Sequence, residues 1–350
     1  MDAAPRVSVI VRTKDRPGLL AEALESLRRQ TFDDFEVVLV NDGGVPPSRD
    51  VLEPHPGRGL RLIATEPPQG RSRALNVGLE GAAGRYIAYL DDDDLYYPDH
   101  LSTLAGFLDG SDEYRAAYTD VAQIEQGLGE DGRYHDGKKL PGYGQNFQPG
   151  RLVSSNFVPI IALMHHRALA AQAGFYDESF DLFEDWDFLI RLSRLTRFHR
   201  IPRVTAVYRV RNDGSNATTE TAWMTERSQA ARRHVFEKHW NLRTPETEMA
   251  LVDSFQSEVG GLAAQVETLR EKLAGAEAQA RSNAAAAENL EGELHAFRAD
   301  AARQIQASGE RESELKAHMA ALSGTVDQMN RSLAWRLFAP YRKLKNLLKG

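Results

Sequence analysis

The strongest chemical signal in this chain is the run Tyr86-Ile87-Ala88-Tyr89-Leu90-Asp91-Asp92-Asp93-Asp94. A strand-like apolar stretch ending in four carboxylates is electrostatically costly unless a cation is near. Hard cations such as Mg²⁺ or Mn²⁺ take oxygen ligands, commonly one or two carboxylates together with a substrate's phosphates. Residues two apart on an extended segment share a face, so Asp91 and Asp93 can address one ion. The bland alternative is acidic capping of a helix starting near Pro98. Four aspartates exceed what a cap needs, although Asp94, nearest that helix, can be explained as a cap alone.

Three weaker signals accompany it. Asp42, in Val40-Asn41-Asp42-Gly43-Gly44, is a carboxylate at a strand end that can accept hydrogen bonds from a base or sugar. Arg71, in Gly70-Arg71-Ser72-Arg73, is placed to meet a diphosphate; its alternative is an ordinary surface helix start. Glu184-Asp185-Trp186-Asp187 offers a carboxylate general base. Asp185 and Asp187 cannot share one helix face well, so at most one is expected to be catalytic. An acidic helix N-terminus is the plain explanation of the same residues.

The elements that must position these groups alternate strand and helix. Val7–Val11, Phe35–Val40, Leu60–Ala64 and Arg85–Leu90 read as buried strands. A helix with Leu20, Leu24 and Leu27 inward begins near Pro17, and Arg73–Ala83 is a second. Such alternation predicts an α/β fold with a mostly parallel sheet. Ligands bind such sheets at the carboxyl ends of the strands, where Asp15, Asp42 and Asp91 to Asp94 should converge. The glycine-rich stretch Gly127–Gly150 is expected to be a mobile loop. Leu182–Leu195 and Thr221–Trp240 read as helices, and Ala206–Val210 as a strand followed by a polar loop to Asn216.

Taken in order, these pieces resemble the family-2 glycosyltransferases of GT-A fold. The resemblance rests on Val7-Ser8-Val9-Ile10-Val11-Arg12-Thr13, Gln30-Thr31-Phe32, Asn41-Asp42-Gly43, Ala74-Leu75-Asn76-Val77-Gly78, Asp91–Asp94, Gly174-Phe175, and Glu184-Asp185-Trp186-Asp187-Phe188. It implies sugar transfer from a nucleotide-diphosphate donor to an acceptor hydroxyl, usually with inversion. It further implies that Asp91 and Asp93 hold Mn²⁺ or Mg²⁺ and that Asp185 is the catalytic base. Thr13, Asp15, Asp42, Arg71, Asp92 and Arg209 then fall on the donor side, and the Tyr208–Asn216 stretch on a segment that closes over the phosphates. Two positions depart from the family pattern. Arg12-Thr13-Lys14-Asp15 replaces the commoner Pro-Thr-Tyr-Asn, and Leu75 stands where arginine is frequent. Two other readings compete: a nucleotidyltransferase on a similar sheet, for which Arg12–Gly18 is a poor phosphate loop, and a coiled-coil scaffold with an inert GT-A domain.

The composition changes near residue 245, beyond which Ala, Glu, Gln, Arg and Leu dominate. Alternate steps of three and four run from Val252 through Phe255, Val259, Leu262, Val266, Leu269 and Leu273 to Ala301. One extra step of four leads to Ile305, and the pattern resumes through Leu315, Met319, Leu322 and Val326 to Leu333. Such a repeat predicts a coiled coil with a stutter, about 120 Å long, and hence a homo-oligomer. A single solvated helix, or two helices folded back at Gly309, are the alternatives. Residues 331–350 carry six basic and no acidic residues, with Leu333, Leu337, Tyr341, Leu344 and Leu348 on one helical face. That pattern suits peripheral contact with an anionic membrane, or a partner-binding cap. The expected organisation is therefore 1–245 catalytic, 246–330 coiled coil and 331–350 tail.

The whole chain bounds these readings. With 350 residues, a net charge of −7 and 42% hydrophobic residues it can build a core, and it has no general nucleic-acid-binding balance. It lacks cysteine, which excludes disulfides and thiol nucleophiles. No apolar run approaches a membrane span and no secretory leader is visible, so a cytoplasmic protein, peripheral at most on the inner membrane face, is expected. The family resemblance further implies a nucleotide-sugar donor and a glycan or lipid-linked acceptor, in surface polysaccharide or glycan biosynthesis.

Overall fold

A computed structural model describes residues 4–211, 213, 225–280 and 284–331. It contains two compact units, divided between Glu248 and Met249.

The first unit is built on a nine-stranded mixed sheet in the order β3-β2-β1-β4-β8-β6-β9-β5, with β7 on β6. The predicted strands appear as β1 (Val7–Thr13), β2 (Phe35–Asp42), β3 (Leu60–Thr65) and β4 (Tyr86–Asp91). They are parallel to one another; β1, β2 and β4 are almost wholly buried, whereas β3, expected as a buried strand, lies at the sheet edge and is largely exposed, with Leu62 37% exposed. Helices α1 (Pro17–Arg28), α2 (Arg49–Leu52) and α3 (Arg71–Gly81) connect them. In α1, Leu20, Leu24 and Leu27 are buried, as their spacing requires.

The sheet is less parallel than expected. After β5 (Leu95–Tyr96) and α4 (His100–Asp109), β6 (Ala116–Leu128) pairs antiparallel with β7 (Tyr134–Tyr143) and with β8 (Leu163–His166). β8 also runs antiparallel to β4, and so inserts between the parallel half and the rest. The expected mobile loop 127–150 is therefore largely a β-hairpin. Its glycines hid the strand signal, yet Gly142 is required there: a Cβ would lie 2.3 Å from the Val121 carbonyl oxygen. The rest of the stretch leads into α5 (Pro149–Ser154) and then a 3₁₀ turn at Ile160–Ala162.

Beyond α6 (Arg167–Ala173), α7 (Glu184–Ser193) carries the acidic motif, and β9 (Phe198–Arg211) runs parallel to β6. α8 (Glu226–Lys238) packs Val235 into the core. Residues 212 and 214–224 lie outside the described residues, and with them part of the Tyr208–Asn216 segment expected to close over the phosphates.

The second unit consists of two long helices, α9 (Pro245–Ala280), whose first turn belongs to the first unit, and α10 (Ala284–Arg331). α10 runs unbroken through Gly309, so the chain does not fold back there. On α9 the repeat positions Val252, Phe255, Val259, Val266 and Leu269 are half-buried. On α10, Ile305 and Met319 stay 46% and 42% exposed. The basic tail beyond Arg331 lies outside the described residues.

Candidate active site

The strand register brings the site together. Arg12 is the direct partner of Asp91 across β1 and β4, and Thr13 is that of Asn41 across β1 and β2. The carboxyl ends of three parallel strands thus present Arg12, Asp42 and the acidic run along one edge. Facing them is the N-terminus of α7. A cleft of about 160 Å³ is lined by Asp91 and Asp94 from the strand side, Arg71 from the start of α3, and Glu184 and Asp185 from α7. Arg12, Asn156, Tyr143 and Tyr208 complete its polar lining.

Each aspartate of the run has a different environment. Asp91 Oδ1 receives the Arg12 guanidinium at 2.9 Å. Burial pushes its carboxyl up, but Arg12, Arg71 and Arg16 together hold it below the ordinary carboxylate value. Asp92 accepts the Thr13 hydroxyl at 2.7 Å. Burial and the neighbouring Asp93 charge lift it to about 6. Asp93 is paired with Arg211, and with Arg16 at 3.1 Å.

Asp94 is not a helix cap. It is fully buried, and its Oδ1 accepts the Arg209 backbone N–H at 2.9 Å. Its Oδ2 is buried and finds no hydrogen-bond partner among the described residues. Burial, then the charges of Asp93 and Asp91, push its carboxyl well up. Oxygens of Asp91, Asp93 and Asp94 lie within 4.8 Å of one another. An all-oxygen donor set with one orphaned buried acceptor fits a hard divalent cation. The candidate set is thus Asp91, Asp93 and Asp94, where sequence reasoning had only the first two.

The residues expected on the donor side are placed in different ways. Arg71 lines the cleft, with Nε 3.0 Å from Glu184 Oε1. Thr13 and Asp42 are buried supports. Asp42 accepts from the Thr65 hydroxyl and from the backbone N–H groups of Gln69 and Gly70, fixing the approach to α3. Asp15 sits at a positive φ of 55° and accepts the Val45 N–H at 2.8 Å. That contact brings the two loops so close that a Cβ on Gly44 would lie 2.9 Å from Asp15. Arg209 departs most from expectation. It is 1% exposed and sits behind the acidic run, bonded to the Asp93 carbonyl and to Glu22.

The two candidate bases separate cleanly. Asp187 is fully buried and bonded to Arg191, Lys238 and His239, so its role is to anchor α7 to α8. Asp185 is half-buried and lines the cleft. Its Oδ1 accepts the Trp186 N–H at 2.7 Å and its Oδ2 the Asn156 amide at 3.1 Å. Burial, with Glu184 next to it, lifts its carboxyl to about 7 against the pull of Arg71. A carboxylate so tuned is suited to take a proton near neutrality.

Sequence reasoning missed Arg16, Arg211, Glu184 and Asn156. The two arginines and Asn156 reach their partners across separations no local pattern reports. Glu184 was visible within its motif, but its pairing with Arg71 was not.

Residues 8–171 match the family model described as Glycosyl transferase family 2. Over 217 residues the chain is 30% identical to the uncharacterized glycosyltransferase YwdF of Bacillus subtilis (strain 168), aligning 61% of this chain with 78% of that protein. It is 31% identical over 192 residues to a PGL/p-HBAD biosynthesis glycosyltransferase of Mycobacterium tuberculosis (strain ATCC 25177 / H37Ra), covering 54% of this chain and 70% of the other. The crystal structure of S. aureus TarS 1-349 in complex with UDP-GlcNAc superposes with a TM-score of 0.54 at 19% identity, over 71% of each chain, a likeness of fold.

Proposed function

Because this chain belongs to glycosyl transferase family 2, we propose that it transfers a sugar from a nucleoside-diphosphate donor to an acceptor hydroxyl, with inversion at the anomeric carbon. The observation that carries this reading is the cleft itself. It places a carboxylate of raised basicity, Asp185, in the same space as Asp91 and Asp94.

Asp91, Asp93 and Asp94 would hold Mn²⁺ or Mg²⁺, whose charge would stabilise the departing nucleoside diphosphate. Arg71, at the start of α3, adds a fixed cation on the same side. Asp185 removes the acceptor's hydroxyl proton as the oxygen attacks the anomeric carbon. The bond from that carbon to the diphosphate oxygen breaks, and its electron pair leaves with the nucleotide. Arg209 and Arg211 act from behind, fixing Asp93 and Asp94.

The acceptor we infer is a surface glycan or its lipid-linked precursor. The name of the mycobacterial relative, which refers to PGL/p-HBAD biosynthesis, supports that class. No helix among the described residues is long and apolar enough to cross a membrane. We place the enzyme in the cytoplasm, with residues 331–350 as a contact for the inner membrane face and the 252–333 seam joining copies of the chain into an oligomer. The decisive experiment is a nucleotide-sugar screen on the wild type and on Asp185→Asn. Transfer should vanish in the variant while donor binding persists; normal turnover would sink the reading.

A further inference from the structure

Asn156 lies between α5 and the 3₁₀ turn, far in sequence from every acidic motif. Its side chain is held at both ends. Oδ1 accepts the Val158 backbone N–H at 3.2 Å, which fixes which end of the amide points where. Nδ2 donates to Asp185 Oδ2 at 3.1 Å. Among the described residues no other side chain hydrogen-bonds this carboxylate. The opposite end of the arrangement is equally rigid. Trp186, whose N–H holds Asp185 Oδ1, is 1% exposed and donates its indole N–H to the Leu152 carbonyl at 2.6 Å. Both oxygens of Asp185 are therefore gripped by groups tied to the same α5 region.

We propose that Asn156 is the positioning residue for the acceptor's proton transfer: its amide orients Asp185 and favours the anionic carboxylate. This rests on the reading of Asp185 as the base. A donor bonded to the charged form stabilises that form, opposing what burial does to it. The charged and titratable groups around Asp185 are Glu184 on its own helix, Arg71 from α3, Asp91 from β4, and the phenols of Tyr143 and Tyr176. Of these, Glu184 and Asp91 raise its pKa and Arg71 lowers it. Asn156 adds a neutral donor to a site with two neighbouring carboxylates and one guanidinium.

The test is the titration of Asp185 in the full chain. Infrared carboxyl spectra are recorded between about pH 4 and pH 9 for wild type, Asn156→Ala and Asn156→Asp, each subtracted from its own Asp185→Asn counterpart. The Asp185 midpoint should rise by about one pH unit in Asn156→Ala, and further in Asn156→Asp, where a like charge replaces a donor. Near-UV circular dichroism checks that each variant keeps its packing, and Asn156→Asp preserves side-chain size. An unmoved midpoint in folded Asn156→Asp overturns the proposal. If instead the midpoint moves but Asp185→Asn transfers sugar normally, the base assignment fails and only the electrostatic coupling stands.

Discussion

Arg71 Nε lies 3.0 Å from Glu184 Oε1, so the first residue of α3 is tied by charge to the first residue of the helix that carries Asp185. One partner belongs to the parallel half of the sheet and the other to the helix facing it. The pair also acts on Asp185 with opposite signs, Glu184 raising its pKa and Arg71 lowering it.

With Asp185 as the proposed base, transfer would need its carboxylate form, so the rate should fall as pH drops through about 7. Glu184→Gln removes a charge that disfavours the carboxylate, and the acid limb should move to lower pH. Arg71→Ala removes one that favours it, so the limb should move up while donor affinity weakens. pH–rate profiles of the two variants check this; shifts of the same sign would contradict it.

Asp93→Asn and Asp94→Asn should each weaken Mn²⁺ binding about tenfold or more, read as free Mn²⁺ by electron paramagnetic resonance. Asp94→Asn carries a second signature. Without added cation it removes a charge that burial and the neighbouring Asp93 and Asp91 disfavour, so above neutral pH the protein should become more stable, by on the order of 1 kcal/mol. A higher melting temperature with a weaker Mn²⁺ response is the expected pair.

Asp187→Asn should destabilise the first unit by about 3–5 kcal/mol, the usual cost of breaking a buried ion pair from one side. Burial opposes ionisation of Asp187, yet hydrogen bonds from His239, Arg191 and Lys238 prevail and bring its carboxyl down to about 2. A depressed folded-state pKa gives stability that is present above the unfolded value near 4 and lost as pH falls toward 2. Wild type should therefore lose this contribution in that window. Asp187→Asn should lack it at neutral pH, as urea unfolding at pH 7 and pH 3 would show.

In the proposed oligomer the exposed seam residues Ile305 and Met319 would be covered by a partner helix. Full-length chain should sediment as an oligomer, and a chain ending at Glu248 as a monomer. Equal behaviour of the two would remove the self-association reading.

What the sequence made legible was what local chemistry encodes. Val7–Val11 announced a buried strand through β-branched side chains, and Asp91–Asp94 announced a carboxylate cluster at a strand end through charge density. The hairpin at 127–143 was illegible because its glycines serve backbone approach, as at Gly142, and leave no alternating pattern. Arg209 was misplaced for another reason. A guanidinium near carboxylates reads the same in sequence whether it faces the ligand or stands behind its cradle. Asn156 gave no signal at all, since its meaning exists only once α5 and α7 meet.

Three guanidinium groups, those of Arg12, Arg16 and Arg211, form ion pairs with the acidic run, and Arg71 and Arg209 add positive charge beside Asp91 and Asp94. These cations already offset most of the negative charge that a dication would meet. A bound dication would therefore turn the pocket net positive, a state that an anionic diphosphate relieves. Cation and nucleotide would each raise the other's affinity by the same factor. Under this reading the arginines would make the cradle a weaker site for metal alone than for metal and nucleotide together, so that occupancy would follow the supply of donor.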